Sequence, residues 1–482
     1  MRKHNGWNYT PYKPLFFDIG DIYICRLVPS SNAIHLEWLA LDGAENYNIY
    51  CRVREQGDFV KVGETKDLFF DITGLQPELD HEFYVEACGK KSRIRLARTG
   101  EAVGTVVNYL HPEDKCYSFS GHCLCSPSMV RHPDGFLLSS MDLFEHGGGQ
   151  CLTLIFRSDD DGQTWHYVTE LYPAFWGKMF IHKGELYMTA CSTEYGDLLI
   201  GKSTDGGKTW TEPTLLLRGL HTKNFTSGIH KNPEPMVYFN GRIWGTIEWG
   251  KGGKTHPVMV MSAPEDADLL DANSWSYSKP VDYDPNWEGV AKGPSDGNIE
   301  GSLVVLNGEL YNIMRYGVGP QNDPPYGLIL GFKVDTENPE NPLQYWRAIK
   351  FPGNRAKFTI KRDEVTGKFF TICTRITNPY ITARNLLTLM VSDDCIHWSV
   401  LKDIYDRRDM DPMKVGFQYV DYEFEGDDII FVCRTGLNEP DNYHNTNYQT
   451  FDRIQNFRQI LADTGELEIF DIYTSAKGRT SL

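Results

Sequence analysis

A short turn, one polar residue followed by glycine at a strand start, recurs six times and limits what this chain can fold into. The copies are Asp134-Gly135-Phe136-Leu137, Lys183-Gly184-Glu185-Leu186, Asn240-Gly241-Arg242-Ile243, Asn307-Gly308-Glu309-Leu310, Thr366-Gly367-Lys368-Phe369 and Glu425-Gly426-Asp427-Asp428. Their glycines are 49, 57, 67, 59 and 59 residues apart. Each copy lies between two β-patterned runs, such as Ser302-Leu303-Val304-Val305-Leu306 before and Leu310-Tyr311-Asn312-Ile313-Met314 after. Glycine supplies the positive φ that a tight hairpin needs. A unit of this size cannot bury its faces alone, so the copies must stack on one another.

A second repeat lies behind these hairpins. Ser158-Asp159-Asp160-Asp161-Gly162-Gln163-Thr164-Trp165 and Ser203-Thr204-Asp205-Gly206-Gly207-Lys208-Thr209-Trp210 both read S-x-D-x-G-x-x-W, the Asp-box pattern. Ser392-Asp393-Asp394-Cys395-Ile396-His397-Trp398 is one residue shorter and lacks the glycine. Weaker echoes fall at Ser262 with Trp275 and at Trp346. In such a loop the Asp accepts turn amides, the glycine takes an unusual φ and the Trp pins the loop down, so the motif is a folding element. Six four-stranded units arranged radially leave few exposed edges. The expected fold class is therefore all-β, a six-bladed β-propeller over about 110–475.

Upstream, residues 1–20 read as an aromatic lead-in. Residues 21–105 alternate as short strands, in Ile34-His35-Leu36-Glu37-Trp38, Tyr47-Asn48-Ile49-Tyr50-Cys51-Arg52-Val53 and His81-Glu82-Phe83-Tyr84-Val85-Glu86-Ala87, with a corner at Gly74-Leu75-Gln76-Pro77. A buried Trp, a Tyr-rich next strand and that corner make a small β-sandwich. The segment resembles a fibronectin type III module, with His81 where that family has its corner Tyr. The resemblance implies a spacer or docking platform, with direct ligand binding as the alternative.

Composition narrows the partners. The 482 residues carry a formal charge of −17, which repels phosphate backbones and speaks against nucleic acid. Mean hydropathy is −0.41, and no apolar run is long enough to span a membrane. Residues 1–10 hold no apolar secretory core. The 11 cysteines are scattered without a CxxC pair, which reads as reduced thiols and a cytoplasmic location, or a secreted one if a signal was removed. No ligand spacing supports a metal, and no cofactor motif is present. Aromatic residues make up 13% of the chain, which suits both β-cores and carbohydrate clefts. The expected partner is a carbohydrate substrate; nothing in the sequence fixes an oligomeric state.

In a propeller the channel mouth is lined where the inner strand starts and where the second strand ends. Inner-strand starts supply Ser126-Pro127-Ser128, Lys178, His230-Lys231-Asn232-Pro233-Glu234, Asn298-Ile299-Glu300, Arg355-Ala356-Lys357 and Gln418-Tyr419. Second-strand ends supply Asp142 with Glu145-His146, Glu194-Tyr195, Glu248-Trp249, Arg315, Arg375 and Arg434. His444 lies in a last-blade loop positioned to overhang the mouth. Carboxylates, arginines, histidines and aromatics gathered this way belong in a wet polar cavity or in structural ion pairs.

Asp-boxes on a six-bladed propeller resemble the sialidase (neuraminidase) superfamily, over about three quarters of the chain. That resemblance implies a Glu at an inner-strand start and an Arg at the end of the next strand, matched by Glu300 through Arg315. It implies a second Arg before the strand entering an Asp-box, matched by Arg384 in Arg384-Asn385-Leu386-Leu387-Thr388-Leu389-Met390-Val391-Ser392. It also implies a nucleophilic Tyr on the last inner strand, matched by Tyr419. The family's acid/base Asp corresponds to Asp142 or Glu145, Asp142 being favoured. Its first Arg, in an Arg-Ile-Pro stretch, is replaced by Cys125 ahead of Ser126-Pro127. Losing one member of a three-Arg grip weakens the hold on a carboxylate, which argues against ordinary sialic acid.

The implied chemistry is retaining exo-glycoside hydrolysis of an acidic or modified terminal sugar. A carboxylate, Glu300, takes the proton of a phenol that is a weak nucleophile by itself. The Tyr nucleophile of sialidases is one of the exceptions to the two-carboxylate rule. Asp142 or Glu145 would protonate the leaving oxygen, Arg315 and Arg384 would hold the acidic group, and His230, Glu234, Glu194, Trp249 and His444 would line the pocket. Two other functions compete. One is a polysaccharide lyase acting on uronic-acid glycans with His230 or His444 and a Tyr as base and acid. The other is a glycan-binding propeller without catalysis.

Overall fold

The computed structural model describes residues 5–9, 19–219, 227–251, 254–379 and 381–472. It is all-β apart from one short 3-10 turn and the helix Phe457–Thr464. From Cys123 onward the strands group into six antiparallel sheets, each adding strands in chain order from an inner edge outward. The first comprises Cys123–Arg131, Leu137–Phe144, Thr153–Ser158 and His166–Leu171; the second Phe175–His182, Glu185–Cys191, Leu198–Ser203 and Thr214–Leu217. The third has an interrupted inner strand, Ser227–His230 and Val237–Phe239, followed by Arg242–Lys251, Val258–Pro264 and Ser276–Tyr277. The fourth comprises Asn298–Leu306, Glu309–Tyr316, Leu328–Lys333 and Gln344–Lys350; the fifth Ile360–Arg362, Phe369–Thr374, Leu386–Ser392 and Ser399–Asp406. The sixth contains Gly416–Glu425, Asp428–Gly436 and Tyr448–Ile454, with Thr105–Tyr109 as its outermost strand.

The sheets follow one another around a closed ring, and a side-chain-to-backbone bond ties every neighbouring pair near the axis. Met179 N donates to Ser128 Oγ (3.1 Å), Lys231 Nζ to Trp176 O (2.7 Å) and Asn232 Nδ2 to Gly301 O (3.1 Å). Ile360 N donates to Ser302 Oγ (3.0 Å), Lys361 N to Tyr422 Oη (3.1 Å) and Met129 N to Asp421 Oδ2 (2.7 Å). Pairing Thr105–Tyr109 with Tyr448–Ile454 brings both ends of the array into one sheet, so neither end presents an open edge. The strand falls between the 21–105 and 110–475 segments expected from the sequence, because a five-residue β-run carries no local sign of a partner so distant in the chain.

Local chemistry builds the repeats as the sequence suggests. All six turn glycines have φ between 59 and 93°, the region where a Cβ would be strained. The three S-x-D loops share one hydrogen-bond pattern. Asp160, Asp205 and Asp394 accept from Thr164 N, Thr209 N and His397 N at 2.8–2.9 Å. Trp165, Trp210 and Trp398 each donate Nε1 to the carbonyl three residues back, at 2.9–3.2 Å. In the shortened copy Cys395 itself takes φ 59° where the others have glycine.

Upstream, Ile24–Pro29, Ala33–Trp38 and Phe69–Thr73 form one sheet facing a second built on Tyr47–Val53 and Asp80–Ala87. Trp38 and Tyr47 are buried between them with ring centres 5.4 Å apart. His81 is also buried, its Nδ1 bonded to Leu79 O at 3.1 Å. This unit is fastened to the ring by Arg26 Nε on Val107 O (2.7 Å) and by the Arg95–Asp114 pair (2.6 Å). Of the expected lead-in, residues 1–4 and 10–18 lie outside the described residues, while Trp7 packs edge-on against Trp210. None of the eleven cysteines is in a disulfide, and ten are buried. Among the described residues no helix is long and apolar enough to cross a membrane.

Candidate active site

Four inner strands break register near their starts, between Cys125 and Ser128, Phe175 and Lys178, Ile299 and Gly301, and Gln418 and Asp421. At each break one non-glycine residue adopts the left-handed conformation: Ser126, Trp176, Glu300 and Tyr419, with φ from 52 to 56°. A bulge of this kind re-aims a side chain, and each such residue costs on the order of 1–3 kcal/mol of backbone strain. Glu300 and Tyr419 are thereby turned toward each other across the ring.

Tyr419 Oη donates to Glu300 Oε1. Glu300 Oε2 accepts from Arg315 Nη1 at 2.6 Å, and the same nitrogen reaches Tyr419 Oη at 3.5 Å. Arg315 is held from behind by Asn354 O (3.2 Å). Burial pushes the Glu300 carboxyl upward, but the charges of Arg315 and His230 and the bonds from Tyr419 and Arg315 outweigh it, leaving it below its ordinary value. Burial and then the Glu300 charge push the Tyr419 phenol up to about 12. These shifts favour the pair resting as phenol and carboxylate, joined by the hydrogen bond from Tyr419.

Three further guanidinium groups surround this pair, and none has a carboxylate partner among the described residues. Arg434 Cζ lies 5.0 Å from the centre of the Tyr419 ring. Arg384 Nη1 bonds Gln418 Oε1, and its Cζ lies 5.5 Å from the Tyr443 ring centre. Arg355 bonds Tyr443 Oη at 3.4 Å and stacks on Tyr326 at 4.9 Å. The Nε of each of the three is buried without a hydrogen bond. Burial first, then repulsion from Arg315, Arg355 and Arg434, weakens Arg384's hold on its proton. Buried cations without counter-charge are costly, and an incoming anion removes that cost. Arg375, the equivalent of Arg315 and Arg434 in the fifth sheet, is instead bound to Asp403 at 2.6 Å and 2.7 Å.

Opposite the arginines stands a wall of rings. His230 Nδ1 bonds Glu248 Oε2, and Glu248 Oε1 accepts from Gly301 N at 3.3 Å. Trp176 and His256 lie 4.3 and 4.6 Å from His230 between ring centres, and Tyr195 Oη bonds His256 Nε2 at 3.1 Å. His444 overhangs the arginine side, edge-on to Phe144 at 5.4 Å and beside Arg434 Nη2. Burial, then the charges of Arg434 and Arg384, hold its ring far below the ordinary pKa.

Other sequence candidates fall elsewhere. Asp142 is fully buried; Thr153 Oγ1 and Gly177 N bond its carboxyl, and burial raises its pKa to about 8. It cannot touch a substrate in this conformation. Glu145 is on the loop above, half-buried, its carboxylate 3.5 Å from His122 Nε2. Glu194 accepts from Gln150 Nε2 at 2.8 Å, beside Tyr195 at the rim. Trp249 follows Glu248 on the same strand and so points to the other face of the sheet, where Nε1 bonds Ser227 Oγ at 3.1 Å.

Glu234 lies deeper, away from Tyr419. It pairs with Lys357 Nζ (3.2 Å) and accepts from Thr359 Oγ1 (2.8 Å). With the Lys178–Asp421 pair it forms an ionic layer across the axis. Beyond that layer, at the turn ends of the inner strands, opens a cavity of about 740 Å³ lined by Val130, Phe180, Ile181, Val305 and Phe424. It is remote from the Tyr419–Glu300 pair and lacks its chemistry. Among the described residues no group of three or more His, Cys, Asp or Glu is placed to hold a metal.

No family model matches the sequence, and neither does any curated protein sequence. Solved structures do share the architecture. A leech intramolecular trans-sialidase complexed with 2,7-anhydro-Neu5Ac aligns over 93% of this chain and 93% of its own, with a TM-score of 0.50 and 9% identity. Trypanosoma rangeli sialidase aligns over 74% of this chain and 58% of its own (TM-score 0.48, 13% identity). Penicillium chrysogenum alpha-L-arabinanase aligns over 74% and 99% (TM-score 0.47, 12% identity). The chain has a sialidase-like, all-β propeller fold. At such identities the likeness concerns the fold alone.

Proposed function

We propose that this chain is a retaining exo-glycoside hydrolase acting on a terminal sugar that carries an acidic group. The observation that carries the reading is the Tyr419–Glu300–Arg315 array beneath three guanidinium groups without a carboxylate partner among the described residues. Tyr419 attacks the anomeric carbon while Glu300 takes its proton, and the sugar's anion settles among Arg355, Arg384 and Arg434. A neutral phenol approaches a centre flanked by negative charge without the repulsion a carboxylate would meet.

Cys125 leaves the first sheet without the arginine found in sialidases. In this reading Arg434 supplies that charge from the sixth sheet; its field already acts on the Cys125 thiol. The grip on an acidic group is thus kept with altered geometry, which favours a modified or different acidic sugar over ordinary sialic acid. The six sheets are taken as the blades of one propeller, the S-x-D loops as its Asp-boxes, and the upstream sandwich as a fibronectin type III-like docking unit.

The test is a panel of aryl glycosides, sialosides and uronides included, run with wild type and Tyr419→Phe. Turnover of an acidic glycoside that Tyr419→Phe loses supports the reading. Unsaturated, ultraviolet-absorbing products from uronic-acid glycans would replace it with the lyase. Glycan binding without turnover would replace it with a binding propeller.

A further inference from the structure

The hydrolase reading leaves one role unfilled. As the glycosidic bond breaks, its oxygen departs with the electron pair and needs a proton. Asp142 is sealed beneath the surface, and Glu145 is a half-buried loop carboxylate that lies 3.5 Å from His122 Nε2. We infer that His230, clamped by Glu248, protonates the leaving oxygen and afterwards deprotonates the attacking water. This inference rests on Tyr419 being the nucleophile.

The geometry supplies what such a group needs. His230 Nδ1 is committed to Glu248, while Nε2 makes no hydrogen bond among the described residues. The ring is fixed between Trp176 and His256, so its free nitrogen has a defined direction. Glu248 is fully buried and forms no salt bridge with a Lys or Arg among the described residues; its other oxygen holds Gly301 N at 3.3 Å. A buried carboxylate without a directly bonded cation is expensive; His230 Nδ1 bonds Glu248 directly, and Lys231 acts on it from farther off. Gly301 directly follows Glu300, so the dyad and the nucleophile pair are locked together through one peptide.

The groups facing His230 agree with this role. The carboxyl groups of Glu248 and Glu300 face its ring, Glu248 through a direct bond and Glu300 through the charge interaction that lowers its own carboxyl. His256 is kept neutral by burial first and then by the charge of His230, with Arg315 adding to the effect. Tyr195 hydrogen-bonds His256, and Trp176 is uncharged. Lys231, the next residue along, directs Nζ to Trp176 O.

The proton and electron accounts balance. In the first half, the Tyr419 Oη–carbon bond forms as the carbon–leaving-oxygen bond breaks; the phenol proton goes to Glu300, and the Nε2 proton of His230 goes to the leaving oxygen. In the second half, a water oxygen–carbon bond forms as the Tyr419–carbon bond breaks; one water proton goes to His230 Nε2, and Glu300 returns its proton to Tyr419.

The experiment uses the full chain and two aryl glycosides of the sugar the panel selects, one releasing a nitrophenol and one an unsubstituted phenol. A nitrophenolate leaves without assistance. His230→Ala should therefore lower kcat/KM by about 10²–10⁴-fold on the phenyl glycoside and by less than about tenfold on the nitrophenyl one. Equal losses on both, or none, overturn the inference. Glu248→Gln should shift the pH profile of the phenyl glycoside, and an unchanged profile counts against it. Should either variant fold poorly, ¹⁵N NMR of the wild-type imidazoles decides the matter, since a singly protonated His230 at pH 6 overturns the inference. Tyr419→Phe, run in parallel, separates the two failures. If that variant keeps its activity the nucleophile assignment falls; if it is inactive while His230→Ala shows no leaving-group dependence, only the acid assignment falls.

Discussion

Glu300 and Tyr419 occupy the same left-handed bulge position in two different sheets, with φ 56 and 55°, and their side chains meet in a hydrogen bond across 119 residues of chain. Ser126 and Trp176 hold that position in the first two sheets. The repeat thus provides equivalent, strained sites around one mouth, and the sequence has placed an acid, a phenol, an indole and a hydroxyl in them.

Under the proposed mechanism the Tyr419–Glu300 pair should dominate the kinetics. Tyr419→Phe removes the attacking oxygen and should abolish detectable turnover. Glu300→Gln keeps the shape but loses the proton acceptor, and should lower kcat by about 10²–10⁴-fold. Steady-state rates on the best glycoside of the panel measure both.

Arg384→Met and Arg434→Met should each reduce kcat/KM on an acidic glycoside by roughly 10–100-fold, corresponding to loss of a charged hydrogen bond of about 1.5–3 kcal/mol. On the matching neutral glycoside both should have little effect. Arg375→Met, in the equivalent fifth-sheet position but bound to Asp403, should leave both rates near wild type.

Asp142 gives a pH signature in stability rather than activity. Its pKa, about 8 when folded, lies above the ordinary value of 3.8, so the folded chain holds a proton that the unfolded chain has released. Stability from this group is complete below about pH 4 and falls as pH rises through 8. Asp142→Asn should remove that slope and raise the melting temperature relative to wild type at pH 8 more than at pH 5, as followed by thermal denaturation.

The ionic layer beneath the site should be structurally brittle. Lys357→Met leaves Glu234 buried without its cation and should destabilise the fold by about 3–5 kcal/mol in denaturant titrations. The paired change Lys357→Met with Glu234→Leu should recover much of that loss.

The parts of the molecule legible in sequence were those whose chemistry is local. The six turn glycines and the three S-x-D loops need only neighbouring residues, and even Cys395 keeps the loop by taking the glycine's φ. Glu300, Arg315, Arg384 and Tyr419 were readable from their spacing within a family pattern. Residues whose place depends on register between strands were harder. Arg434 and Arg375 look alike in sequence, yet one faces the mouth and the other meets Asp403. Trp176 was hidden because a bulge shifts alternation by one residue. Glu234 left the expected mouth because residues 231–236 interrupt the inner strand and carry it down to Lys357. His256 lies in a loop between strands, where no periodicity marks it.

The most direct test is to trap the intermediate. A fluorinated glycosyl fluoride of the sugar chosen by the panel, incubated with the full chain and followed by peptide mass mapping, should leave one sugar on the peptide containing Tyr419 and none on Tyr419→Phe. A sugar attached to a carboxylate instead, or continued turnover with inversion at the anomeric carbon, would contradict the account.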